Sequence, residues 1–164
     1  MIISGLLVVL AIILLIPFVF KPEPRAALSG PDLSEIKYTE IFFNNGDLHL
    51  AGMLLLPEGE ERFPVAVIIH GSGTSHRDSK WYLTAAKHLQ ENGIAVLLPD
   101  KRGSEKSEGD WRSANFDDLA EDTISAIEFI KTQDRFDYSA IGLIGKKLKH
   151  PALLLLAKMT KTYP

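Results

Sequence analysis

Three short stretches of the sequence carry residue types that can do chemistry. The first is His70-Gly71-Ser72-Gly73, directly after the apolar run Val65–Ile69. Glycines there leave backbone N–H groups uncovered, and N–H groups so presented can bind an oxyanion. The second is Pro99-Asp100-Lys101-Arg102-Gly103-Ser104, after the run Ile94–Leu98. Its Asp100 and Arg102 fit a pair that fixes a turn, and a catalytic Asp100 is the sharper alternative. The third begins at Gly145, after Ile141–Ile144. All three lie where a strand ends, and open α/β sheets bind ligands beyond the carboxyl ends of their strands.

Other groupings have plainer readings. His70 suits a structural role, bonded to nearby backbone, better than that of a general base. Ser72, Ser75, His76 and Asp78 include a serine, a histidine and an acid within seven residues. Triads, however, are assembled from separate loops. Glu105, Glu108 and Asp110 lack the spacing of a calcium loop and read as a solvated segment. Gly142 and Gly145 do not complete a dinucleotide-binding glycine set.

The elements that must position these loops follow from periodicity. Tyr38–Phe43 and Leu48–Leu56 are rich in strand formers and flank Asn44-Asn45-Gly46-Asp47, a hairpin signal. Leu48, Leu50, Leu54 and Leu56 share one face at period two. The runs Val65–Ile69, Ile94–Leu98 and Ile141–Ile144 do not alternate, as expected of strands covered on both faces in a parallel sheet. Between them, Ser79 is placed to cap a helix with Tyr82, Ala85, Ala86 and Leu89 on one face, ended by Asn92-Gly93. Asn115 is placed to cap a second, with Asp117 and Asp118 in its first turn and a buried stripe of Phe116, Leu119, Ala120, Thr123, Ile127 and Ile130. The order hairpin, strand, helix, strand, helix, strand predicts an α/β layer fold.

Taken together, strand-His-Gly-Ser-Gly, helix, strand-Leu-Pro-Asp-Lys-Arg-Gly-Ser, helix and Ile-Gly-Leu-Ile-Gly resemble the α/β-hydrolase superfamily. The likeness is greatest to its bacterial serine esterase and aminopeptidase-like branch, and it runs from Tyr38 to Gly145. It implies that His70, Gly71, Ser72 and Gly73 form the oxyanion-hole loop, that Asp100, Arg102 and Gly103 shape the active-site floor, and that no cofactor or metal is needed. It also implies a nucleophile elbow, Gly-x-Ser-x-Gly, opening at Gly145. Here the sequence departs from the pattern. The serine position holds Lys147 and the second glycine position Lys149. A lysine amine, protonated up to about pH 10.4, cannot form the ester intermediate. After Lys147 the only histidine is His150, and no acid follows. The expectation is therefore an incomplete α/β-hydrolase domain over 37–145, truncated or frameshifted after Gly145, with an atypical Lys-rich tail over 146–164. A non-catalytic membrane-tethered fragment or binding module is the alternative. The apolar strand Ile141–Ile144 would be left with an open edge, which invites self-association.

Ile2–Phe20 is uncharged throughout. As a helix it would span about 28 Å, close to the hydrocarbon thickness of a bilayer. Residues 1–21 are thus expected to be a single-pass transmembrane anchor, followed by a Pro-rich linker at 22–36. The lipid bilayer is then a partner through residues 2–20, and the membrane is the expected location. Secretion after signal cleavage near Ala27-Leu28-Ser29 competes, but no Lys or Arg precedes the apolar run. Lys21 and Arg25, offset by Glu23, give little basis for choosing a membrane side. A net charge of −3 offers nucleic acid no basic surface, and the absence of cysteine excludes disulfides. The remaining expected partner is a small acyl substrate.

Overall fold

The computed structural model describes residues 29–59, 62–71 and 73–145. The expected anchor, Ser72 and the lysine-rich tail lie outside them. Among the described residues no helix is long and apolar enough to cross a membrane.

The Asn-Gly signal closes a hairpin. Strand β1 (Thr39–Asn45) runs antiparallel to β2 (Leu48–Leu55), with Asn45 opposite Leu48. Gly46 makes the turn at a φ of +57°, a region costly for a residue with a Cβ. Then come β3 (Phe63–Ile69), helix α1 (Lys80–Glu91), β4 (Ala95–Pro99), helix α2 (Phe116–Lys131) and β5 (Phe136–Gly145). The sheet order is β1-β2-β4-β3-β5. β3 runs parallel to β4 on one side and to β5 on the other, while β4 is antiparallel to β2. The order of elements is the one that the periodicity predicts.

Each helix covers one face. On β4, Ala95 and Leu97 join Val65 and Val67 of β3 and Ala126 and Ile130 of α2 in one core. The alternate residues Val96 and Leu98 join Ile68 and the α1 residues Leu83 and Ala86 in the other. Successive side chains of a strand point to opposite faces, so continuous apolar runs are what a doubly covered sheet requires. Leu48, Leu50, Leu54 and Leu56 all pack on the α2 side.

Four expectations need correction. Strand β5 begins at Phe136, five residues before the apolar run. Asp137 obscured this start, because it holds Ser139 locally by accepting bonds from its N–H and hydroxyl at 3.0 and 2.7 Å. Phe116 does not join the buried stripe of α2. It is 46% exposed, since it sits at the first helical position, beyond the end of the sheet. Ser79 precedes α1 but its hydroxyl caps nothing, whereas Asn115 accepts from the N–H groups of Asp117 and Asp118 at 2.7 and 3.0 Å. Finally, the described part of the presumed linker is packed. Leu33–Glu35 forms a turn of 3-10 helix, and Ile36 is buried beneath α1.

The two caps make a paired prediction. Asn115→Ala should cost about 1 kcal/mol by leaving two α2 N–H groups without their acceptor. Ser79→Ala should cost far less, in urea unfolding of the chain followed by circular dichroism.

Candidate functional site

The loops after β3 and β4 lie side by side at the carboxyl ends of their strands. His70 is held from both ring nitrogens. Nε2 lies 2.6 Å from the Pro99 carbonyl oxygen, and Nδ1 meets the Ser75 hydroxyl. A carbonyl can only accept, so Nε2 carries the hydrogen and Nδ1 accepts from Ser75. Burial of the ring pushes the His70 pKa down to about 4, against the Pro99 carbonyl, which favours the charged form. A neutral histidine committed to main chain, beside a buried serine, ties two loops together and is a poor general base at neutral pH. Its ring also packs edge-on against Tyr82, with centroids 4.5 Å apart.

The glycine loop is fixed in the same way. The Gly71 N–H donates to the Tyr82 hydroxyl at 2.9 Å. Lys101, from the second loop, donates its Nζ to the carbonyls of Gly71 and Gly73 at 3.3 and 3.0 Å. That ammonium also lies 4.3 Å from the centre of the Trp111 ring. Burial lowers the Lys101 pKa, yet two carbonyls and an aromatic face are partners for the charged form. In a planar trans peptide the N–H opposes the C=O. With the Gly73 carbonyl drawn to Lys101, the N–H of the exposed Thr74 points away from that ammonium.

Asp100 and Arg102 do not pair with each other, contrary to expectation. Asp100 is bound by Arg77 in a two-pronged contact, Nε to Oδ1 at 2.8 Å and Nη2 to Oδ2 at 2.6 Å. Arg77 also reaches Glu40 on β1 at 2.8 Å, and Glu40 in turn accepts from Lys106 at 2.5 Å. Lys106 and Arg77 hold the Glu40 pKa below its ordinary value, and Asp100 raises that of Arg77. Arg102 turns the other way. It grips Asp122 on α2 through both carboxylate oxygens at 2.7 Å and reaches the Asp118 carbonyl at 2.7 Å. The two residues thus reach to different parts of the fold, and Gly103, next in the chain, bends the loop at a φ of +70°. A Cβ on Gly103 would lie 2.6 Å from the Gly109 carbonyl oxygen. The buried hydroxyl of Ser107 seals the loop to β2, accepting from the Ala51 N–H at 2.9 Å and donating to the Asp100 carbonyl at 3.0 Å.

A cavity of about 60 Å³ opens between the strand ends and α2, lined among others by Ile69, His70, Asp100, Lys101, Asp122 and Thr123. Gly145 closes β5 directly opposite Ile69, so the chain leaves β5 beside His70. The structure thus brings His70, Gly71, Gly73 and Asp100 together and places Arg102 and Gly103 behind them as scaffold. His76 turns aside to Glu105 at 3.1 Å, and Glu108 accepts from the His49 N–H at 3.2 Å. Among the described residues no cluster of three His, Asp or Glu side chains could hold a metal. Arg77, Tyr82, Lys101 and Ser107 were not singled out from the sequence. Arg77 lies in a run of polar residues that looks solvated, and only its approach to Asp100, 23 positions away, reveals its role.

Two outcomes test this arrangement. Arg77→Met should cost about 3–5 kcal/mol by stranding the buried Asp100 carboxylate. Adding Asp100→Leu should recover part of that loss in urea unfolding. Acid should also weaken the fold through His70. Its folded pKa of about 4 lies below the ordinary 6.5, so the unfolded chain binds the proton first as pH falls. Stability should drop between those two values, and the drop should be shallower in His70→Gln, measured by unfolding midpoints across that range.

Comparison with known proteins agrees with the geometry. Residues 61–146, just over half of the chain, match the family model described as serine aminopeptidase, S33. A thiohydrolase of Aspergillus aculeatus, aneE, is 38% identical over 70% of this chain and 35% of its own length. The esterase EstD of Thermotoga maritima is 29% identical over 60% of this chain and 25% of its own. The chain therefore spans about a third or less of these relatives. The crystal structure of dienelactone hydrolase from Anabaena variabilis superposes with a TM-score of 0.62 at 27% identity, covering 77% of this chain and 59% of that one. Sheet, loops and sequence agree, and the chain belongs to the serine aminopeptidase (S33) family of α/β hydrolases.

Proposed function

We propose that this chain is the front part of a membrane-anchored serine hydrolase of acyl esters or small amides, and that it is catalytically silent by itself. One observation carries the hydrolase half. The Ile69–Gly145 pairing brings the end of β5 beside the loop that opens at His70. A nucleophile two residues past Gly145 would face the His70–Gly73 loop, the juxtaposition acyl transfer needs. The esterase and the thiohydrolase among the relatives support acyl substrates.

The silence follows from what occupies the elbow. Lys147 offers an ammonium where the mechanism needs a hydroxyl, and Lys149 puts a side chain where the tight turn favours glycine. The nearest serine–histidine pair, Ser75 and His70, has its ring held by the Pro99 carbonyl. The anchor half rests on the uncharged stretch of residues 2–20.

The purified chain should neither turn over p-nitrophenyl esters above background nor take up a fluorophosphonate probe. Stoichiometric labelling of any serine would refute its silence. The hydrolase reading is tested by exchange. Residues 38–145 placed into the corresponding segment of EstD should preserve ester hydrolysis by the host's own elbow, acid and histidine. A folded chimera without activity would remove the reading.

A further inference from the structure

The described chain begins at the same end of the sheet as the candidate site. Helix α1 follows the loop that leaves the carboxyl end of β3, so its first turn lies at that end. Residues 30–32 are fastened there. Lys80 donates to the Pro31 carbonyl at 3.2 Å and pairs with Asp32. Gly30 fits so closely that a Cβ on it would stand 3.2 Å from the Lys80 carbonyl oxygen. The chain then descends along α1 to Lys37, whose carbonyl accepts from Gln90 near the far end of the helix at 3.3 Å. Only nine residues, 21–29, separate this fastening from the uncharged stretch 2–20. Fully extended, nine residues reach at most about 32 Å. An anchor in residues 2–20 therefore keeps the carboxyl end of the sheet near the lipid surface.

The same end gathers aromatic side chains. Both tryptophans of the sequence lie there half-buried, Trp81 in the first turn of α1 against the core beneath that helix and Trp111 in the loop after β4 with Lys101 and Arg112 over its ring. The two large apolar side chains most exposed among the described residues lie there too. Phe116 opens α2, and Phe42 pairs with Ala51, one position from the Gly52–Pro99 pair at the end of β4. Tryptophan and phenylalanine suit a bilayer interface, with an apolar body at the headgroup boundary. The charges around them are mixed, with Lys80, Lys106 and Arg112 among Asp32, Glu105 and Asp110. Attraction at this face thus rests on the aromatic groups and the tether, and needs no anionic lipid.

We propose that the rim formed by Trp81, Trp111 and Phe116 lies against the bilayer, so that the site beside His70 takes acyl esters that partition into the membrane. The choice of substrate rests on the hydrolase reading above, whereas the docking of the rim does not. The full chain, reconstituted into phosphatidylcholine vesicles carrying a headgroup nitroxide, tests the docking without any hydrolysis. In Trp81→Phe the remaining Trp111 should lose most of its emission relative to unlabelled vesicles, and in Trp111→Phe the remaining Trp81 should do the same. A probe at the opposite end, Glu58→Trp in a chain with both tryptophans changed to Phe, should keep its emission. Equal quenching at both ends, no quenching of Trp111, or release of the uncleaved chain by carbonate would overturn the proposal. Failure of the EstD chimera together with quenched rim tryptophans would instead remove the hydrolase reading and leave the docking in place.

Discussion

The buried contact between Arg77 and Asp100 governs the carboxyl end of this molecule. Arg77 comes from the loop after β3, Asp100 from the loop after β4, and Glu40, the third member, from β1. One guanidinium therefore fixes the position of three segments that are distant in sequence. The contact is costly to desolvate and retained because both ends are satisfied. Arg77 spends Nε and Nη2 on Asp100 and Nη1 on Glu40, and Asp100 takes a further weak contact from the Lys106 N–H at 3.3 Å. Remove either partner and the two loops lose their link to β1 and keep only the His70 and Lys101 bonds between them.

Around that contact, most donors of the site are already committed. The Gly71 N–H serves Tyr82, His70 serves Pro99, and Lys101 serves the carbonyls of the glycine loop. Donors bound in this way hold the loops in place and are not free for a ligand.

The fold was legible in the sequence wherever a single element decided the pattern. The hairpin was visible because Asn45-Gly46 needs only its own turn, and the buried strands because Val65–Ile69 and Ile94–Leu98 admit no solvent face. The loops proved harder. Asp100 and Arg102 are two residues apart and of opposite charge, so pairing looked natural. They bind Arg77 and Asp122 instead, and neither partner can be inferred from local spacing. Phe116 was misplaced for a related reason. Periodicity assigns a helix face, while exposure depends on how far the sheet beneath extends. Ser72, the anchor and the lysine-rich tail lie outside the described residues.

The pairing of β3 has a further consequence for how the chain acquires its shape. The β1–β2 hairpin closes over a two-residue turn, whereas Ile69 must wait for Gly145. Loop-closure entropy must be met before such a distant pairing gains anything, so the sheet combines one fast local seam with one slow remote seam. During synthesis, β3 emerges with its apolar residues Val65–Ile69 complete while both of its partners are still unmade. Helix α1 and β4 arrive next and cover one edge, and the other edge stays open until β5 follows. The most hydrophobic strand of the protein is thus also the one that stays half-paired longest, and a chaperone would find its natural target there.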